Sequence, residues 1–190
     1  MHVRVDGDQG HGETSMKVLF LDVDGVLNSL EWCKAGNGFG CPPGKRERCT
    51  KERLKWCPDM VRRLRQVIEA TGASIVVSSS WRGYGAGAVR KWKAMFNVYG
   101  WRNAPVIGET PDLTRQQSSG LYVSIKRGEE VAAWLKAHTH VVDRFVCVDD
   151  GNDFLPDQPL VLTDMETGLT EDAALKCIVL LGNETTSKRR

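Results

Sequence analysis

The stretch Lys17-Val18-Leu19-Phe20-Leu21-Asp22-Val23-Asp24-Gly25-Val26-Leu27-Asn28 decides the fold. Its apolar run into Asp22 is too short for a helix and has no polar face, so it reads as a strand buried on both sides. Such strands belong to parallel sheets, which bind ligands outside their carboxyl ends. Asp22 and Asp24 stand at that end. Two carboxylates one residue apart beside a buried strand are costly unless a cation or hydrogen-bond donors meet them. Read as a plain turn, the pair would cap the chain reversal and Gly25 would supply a positive φ. Asp-x-Asp-Gly also opens calcium loops, but the ninth residue after Asp24 is Cys33 and no ladder of acids follows.

Working outward, 190 residues suit one domain with a substantial core and a modest insertion. A net charge of +2 names no partner class. No apolar run approaches a membrane span, and residues 1–15 have no apolar segment of the export-signal type. Residues 1–15 and 183–190 read as flexible tails around a single domain over 16–182. Six cysteines without an export signal predict free thiols in a reducing cytoplasm.

Residues 29–57 form a Gly, Pro and Cys-rich insert after the first strand. Its cysteines Cys33, Cys41, Cys49 and Cys57 recur every eighth residue, whereas zinc ligands normally arrive as close pairs. The insert runs into basic sequence: Lys45, Arg46, Arg48, Lys51, Arg53, Lys55, Arg62, Arg63 and Arg65 stand against Glu47, Glu52 and Asp59. Charge runs are usually solvated faces, but this one follows the acidic strand end and brings a phosphate-rich polymer into view as substrate.

Pro58 opens a helix whose stripe is Met60, Val61, Leu64, Val67 and Ile68, with Gly72 closing it. Ala73 to Val77 is a second buried strand, ending in Ser78-Ser79-Ser80-Trp81-Arg82. A helix with Ala88, Val89, Trp92, Met95 and Phe96 on its core face follows, then a short apolar stretch, Ala104 to Ile107. Arg127 to Glu130 opens another helix with Val131, Trp134 and Leu135 inward. Phe145 to Val148 is a third strand, ending in Asp149-Asp150-Gly151-Asn152-Asp153, and Leu160 to Leu162 is a fourth. Thr170 caps a last helix with Leu175, Ile178 and Val179 as its apolar residues. Strands alternating with amphipathic helices predict an α/β fold: a Rossmann-like three-layer sandwich with a mostly parallel central sheet.

Three strands thus end in small or acidic polar residues, which a core does not require and a site at the sheet edge does. Four or five carboxylates, hydroxyls and a cation from Lys126 or Arg127 suit a magnesium ion and a phosphate dianion. One ionised carboxylate could attack phosphorus, and a second, protonated, could serve the leaving oxygen.

The chain resembles the haloacid dehalogenase-like (HAD) phosphohydrolases through four separated motifs in order. Phe20 to Asn28 resembles the first motif, which implies Asp22 as nucleophile and Asp24 as general acid/base, with the Asp24 carbonyl also on magnesium. Val76-Val77-Ser78 resembles the second, a phosphate-binding hydroxyl, with Ser79 as the alternative. Lys126 and Arg127 compete for the third, the phosphate-binding cation. Val148-Asp149-Asp150 with Asp153 resembles the fourth, implying Asp150 as metal ligand supported by Asp149 and Asp153.

A closer resemblance lies in Ser79-Ser80-Trp81-Arg82, Ile107 to Pro111, Arg127 to Val131 with Trp134-Leu135, and Gly168-Leu169-Thr170. These resemble the HAD domain of Swiss Army knife RNA-repair proteins, which implies removal of a terminal phosphate, such as a polynucleotide 3′-phosphate. The insert at 29–57 lies where the family carries a small cap. Three other activities compete: a small-molecule nucleotide or sugar phosphatase, a phosphotransferase with an acceptor other than water, and a non-catalytic nucleic-acid-binding module. Retention of every motif residue opposes the last.

Overall fold

The computed structural model describes residues 15–37, 56–83, 85–116, 122–123, 125–139 and 142–182. Five strands form one parallel sheet: β1 (Met16–Leu21), β2 (Ser74–Val77), β3 (Val106–Glu109), β6 (Val142–Asp149) and β7 (Leu160–Leu162). Their spatial order is β3-β2-β1-β6-β7. The chain winds outward from β1 through β2 to β3, then crosses back to β6 on the other side of β1. That reversal leaves a crevice at the carboxyl ends of β1 and β6, where open α/β sheets take their ligands. A separate antiparallel ribbon pairs β4 (Arg115–Gln116) with β5 (Tyr122–Val123).

Alternation along β1 serves both faces. Leu19 and Leu21 join the larger core, while Val18 and Phe20 join a second core with Val131 and Trp134. Helices α2 (Pro58–Thr71), α3 (Ala88–Val98) and α5 (Glu171–Gly182) contribute to the larger core, and α4 (Arg127–Ala137) to the other. Three layers result, as the alternation of strands and helices predicts. The edge strand β3 is an addition to that expectation, since its apolar signal is only one short stretch. Its pairing to β2 and the packing of α3 on its inner side make it a strand.

Local signals account for the helix ends. Pro58 occupies the first turn of α2, and Gly72 closes it in the left-handed conformation at φ 69°. The Thr170 hydroxyl accepts the Ala173 amide at 3.2 Å, capping α5. The apolar face of α5 differs from the sequence reading. Ala173, Ala174, Cys177 and Leu181 are buried, whereas Leu175 and Val179 are more than half exposed. Close packing of α5 on α2 selects the face with small residues over the face with larger ones.

Only the two ends of the 29–57 insert fall within the described residues. Its start forms a short helical turn, α1 (Leu30–Trp32), continued by a wider turn over Cys33–Asn37, with the Ser29 hydroxyl accepting the Trp32 amide. Its far end, Trp56, stacks on Trp92 and Tyr99. Cys41, Cys49 and the basic run from Lys45 to Lys55 lie outside the described residues, as do both tails beyond Ser15 and Gly182. Among the described residues no helix is long and apolar enough to cross a membrane.

Gly168 fixes how the loop before α5 meets the Asp24 loop. At φ 69°, its Leu169 neighbour donates to the Val26 carbonyl at 3.0 Å, and a Cβ at Gly168 would lie 2.6 Å from the Met60 sulfur. Both the left-handed backbone and the contact oppose any side chain. Gly168→Ala is expected to cost about 1–3 kcal/mol of stability, read as a melting temperature lower by several degrees; an unchanged melting temperature would contradict the packing described.

Candidate functional site

Register brings the site together before any side chain is considered. Leu21 of β1 is level with Val77 of β2 and with Val148 of β6. The following residues, Asp22, Ser78 and Asp149, therefore stand on one rung, Asp149 as the last residue of β6. Backbone bonds lock it: the Ser78 amide donates to the Leu21 carbonyl at 2.7 Å, and the Asp22 amide donates to the Val148 carbonyl at 3.0 Å. Thr110 after β3 and Thr163 after β7 continue the edge through amides bonded to the Val77 and Asp149 carbonyls.

Asp22, Asp149 and Asp150 each offer a carboxylate oxygen, all within 4.8 Å of one another, a grouping able to hold a metal ion. Asp22 and Asp149 are buried, at 6% and 4% exposure. The Ser79 hydroxyl lies beside Asp22 and favours its ionised form. Asp149 accepts the Gly151 amide at 2.8 Å through Oδ1, while its buried Oδ2 has no hydrogen-bond donor. The Arg127 guanidinium approaches that oxygen no closer than 3.5 Å. A buried carboxylate oxygen left over in this way is what a hard cation would satisfy. The donor set of three carboxylates fits magnesium better than a soft metal.

Gly25 is required by the same crowding. It lies at φ 68°, and a Cβ there would sit 2.5 Å from the Asp150 Cγ. The Thr163 hydroxyl donates to its carbonyl at 2.8 Å, tying the β1 loop to the end of β7.

Asp24 sits apart from the three-acid grouping. Its Oδ1 accepts the Asn28 amide Nδ2 at 2.9 Å and its Oδ2 accepts the Trp81 indole Nε1 at 2.8 Å. The side chain of Asp153 is also outside the grouping. It is exposed and accepts the Arg127 backbone amide at 3.0 Å, capping α4, while its carbonyl accepts the Gly128 amide. Of the two serines, Ser79 is turned to Asp22, whereas the Ser78 hydroxyl lies 3.5 Å from that of Thr110. Of the two cations, Lys126 is exposed at the N-cap of α4, and the Arg127 side chain reaches Asp149 and Glu130.

Glu130, 2% exposed, organises the cations. It pairs with the Arg82 guanidinium, accepts the Leu113 amide at 3.2 Å and lies 3.9 Å from Arg127. Arg82 in turn donates to the Ser79 carbonyl at 3.2 Å. The sequence reading gave no role to Asn28, Trp81, Arg82 or Glu130. Glu130 in a first helical turn looks like an ordinary dipole-matched acid, and nothing in spacing tells that it is buried. Trp81 and Arg82 follow the serine run directly, which was the available signal.

Burial pushes the Asp22 carboxyl up to about 6, against the opposing pull of the Ser79 hydroxyl and the Arg127 charge. Burial and then the Asp22 charge push Asp149 up to about 7, and burial raises Asp150 as well. A site that is crowded, acidic and desolvated holds protons in the absence of a cation.

With this geometry in place, the relationship to known proteins is clear. A model of the HAD domain in Swiss Army Knife RNA repair proteins matches residues 18–174, and the chain belongs to that family. No curated protein and no solved structure matches it.

The raised carboxyls set the sign of a pH effect. Each contributes stability that is fully present below its unfolded value near 3.8 and lost as pH rises through the folded values, about 6 and about 7. A divalent cation offsets that loss only where the acids are ionised. Magnesium is therefore expected to raise the melting temperature much more at about pH 8 than at about pH 5; equal increments in thermal scans would argue against binding at these acids.

Proposed function

We propose that the chain is a magnesium-dependent phosphohydrolase that removes a phosphate from a phosphomonoester through an aspartyl-phosphate on Asp22. The observation that carries this reading is the meeting of Asp22, Asp149 and Asp150 with Arg127 and the Ser79 hydroxyl at one sheet edge. Asp22, Asp149 and Asp150 would hold magnesium, whose charge would ionise the acids and polarise the phosphate. Arg127 binds the phosphate oxygens, with the Ser79 hydroxyl as a further donor and Ser78 and Lys126 in supporting positions. An Asp22 oxygen attacks phosphorus as the bond to the leaving oxygen breaks. Asp24 gives its proton to that oxygen, then takes one from the water that releases phosphate from Asp22. Asp153 serves by holding the start of α4, and so Arg127, in place.

The family points to a phosphorylated nucleic-acid end as substrate. One observation favours a small phosphomonoester as a second reading. The described arginines of the basic run are each met by an acid: Arg62 by Asp59, Arg65 by Glu69 and Arg63 by Glu171. A cytoplasmic setting is part of the proposal, supported by the free thiols Cys33, Cys57, Cys147 and Cys177.

Asp22→Asn keeps the shape of the side chain and removes the nucleophile. It is expected to lower turnover of an aryl phosphate by at least about 1,000-fold with the far-UV circular dichroism unchanged; a fully active variant would refute the covalent mechanism. With wild-type protein and magnesium, a 3′-phosphorylated oligonucleotide is expected to give a higher kcat/KM than the matching 3′-mononucleotide. A preference for the mononucleotide would select the small-substrate reading.

A further inference from the structure

The turn after β2 touches both of the acids that flank the reaction. The Ser79 hydroxyl lies beside Asp22, and it accepts the Trp81 amide at 3.3 Å. Two residues on, the Trp81 indole Nε1 donates to Asp24 at 2.8 Å. The other Asp24 oxygen is held by the Asn28 Nδ2, and the Asn28 side-chain Oδ1 accepts the Gly25 amide at 3.2 Å. That last bond orients the Asn28 amide so that its NH2 faces Asp24.

We infer that Trp81 is a positioning residue that holds Asp24 in line with the leaving oxygen, acting with Asn28. The inference rests on the phosphohydrolase reading of the site. Indole is a donor only, so it cannot take the proton that Asp24 must transfer. It is also neutral, so it orients the carboxylate without adding a positive charge that would compete with Arg127 for the phosphate. Its ring packs on the larger core, which gives the N–H a fixed direction. With each oxygen of Asp24 accepting one fixed donor, the carboxyl keeps a single orientation and stays clear of the three-acid grouping.

The chemistry makes the role separable from simple support of the fold. As the phosphorus–oxygen bond breaks, an alkoxide leaving group needs the Asp24 proton on its oxygen, whereas a dinitrophenolate leaves without one. Trp81→Phe keeps the ring and removes only the N–H. It is expected to lower kcat/KM, which reports the steps up to the aspartyl-phosphate, by roughly 10–100-fold for an alkyl phosphate such as a 3′-nucleotide. For 2,4-dinitrophenyl phosphate the loss in kcat/KM is expected to be under about 2-fold, because the later step in which Asp24 takes a proton from water does not enter kcat/KM.

Equal losses on both substrates, or no loss on the alkyl phosphate, would overturn the inference while leaving an active wild type and the reading of the site intact. Wild-type protein inactive toward both would overturn the phosphohydrolase reading and this inference together. Should Trp81→Phe fail to fold, the indole N–H signals of the six tryptophans decide. Asp24→Asn weakens the charge-assisted bond, so one indole proton is expected to move upfield relative to wild type; no movement would overturn the contact.

Discussion

Like charges confined to one buried volume govern this molecule. Leu21 of β1, Val77 of β2 and Val148 of β6 are level, so acids from positions far apart in sequence stand side by side at the sheet edge. Burial raises the proton affinity of both Asp22 and Asp149, and the Asp22 charge raises that of Asp149 further. Such an arrangement is unfavourable by itself, and a bound cation would relieve it. The surrounding structure is arranged to hold that strain. Gly25 leaves room for Asp150, and Thr163 ties the two loops together.

Protein cations are present but are held back. Arg127 is drawn partly toward buried Glu130, which also pairs with Arg82. Glu130 is the buried acid that Arg82 and Arg127 share. A buried ion pair of this kind adds little net stability, but it confines a long side chain to one region. Asp153 contributes from the outside by capping α4, so the helix that carries Arg127 begins at a defined point. Cation placement thus depends on one buried acid and one exposed acid, neither within the three-acid grouping.

The second core, on the α4 side, holds that helix against the sheet. Phe20 of β1 packs edge-on against Trp134 and Phe145, directly beneath the strand end that carries Asp22. The same β1 residues that make the strand buried on both faces therefore fix α4, and with it Arg127, relative to the nucleophile candidate. On the opposite side, small residues of α5 let it approach α2 closely and leave Leu175 and Val179 outward.

Much of this was legible in the chain alone. Apolar runs bounded by Asp22, Ser78 and Asp149 declare parallel strands and a polar edge, because burial on both faces and abrupt polarity are local properties of sequence. Pro58, Gly72 and Thr170 mark helix ends for equally local reasons. The short edge strand β3 was not legible, since its four residues gain strand character only by pairing with β2. Nor could spacing choose Ser79 over Ser78 beside Asp22, or Arg127 over Lys126 beside Asp149. Those choices turn on which way a side chain points after the strand or helix begins, and packing decides that. Burial of Glu130 and the Trp81–Asp24 bond lie further still from sequence, spanning 48 residues to Arg82 and 57 residues between partners. Sequence determined which chemical groups are available and that they gather at a sheet edge. Tertiary structure alone decided which of them face one another, because contact between distant segments follows from register and close packing.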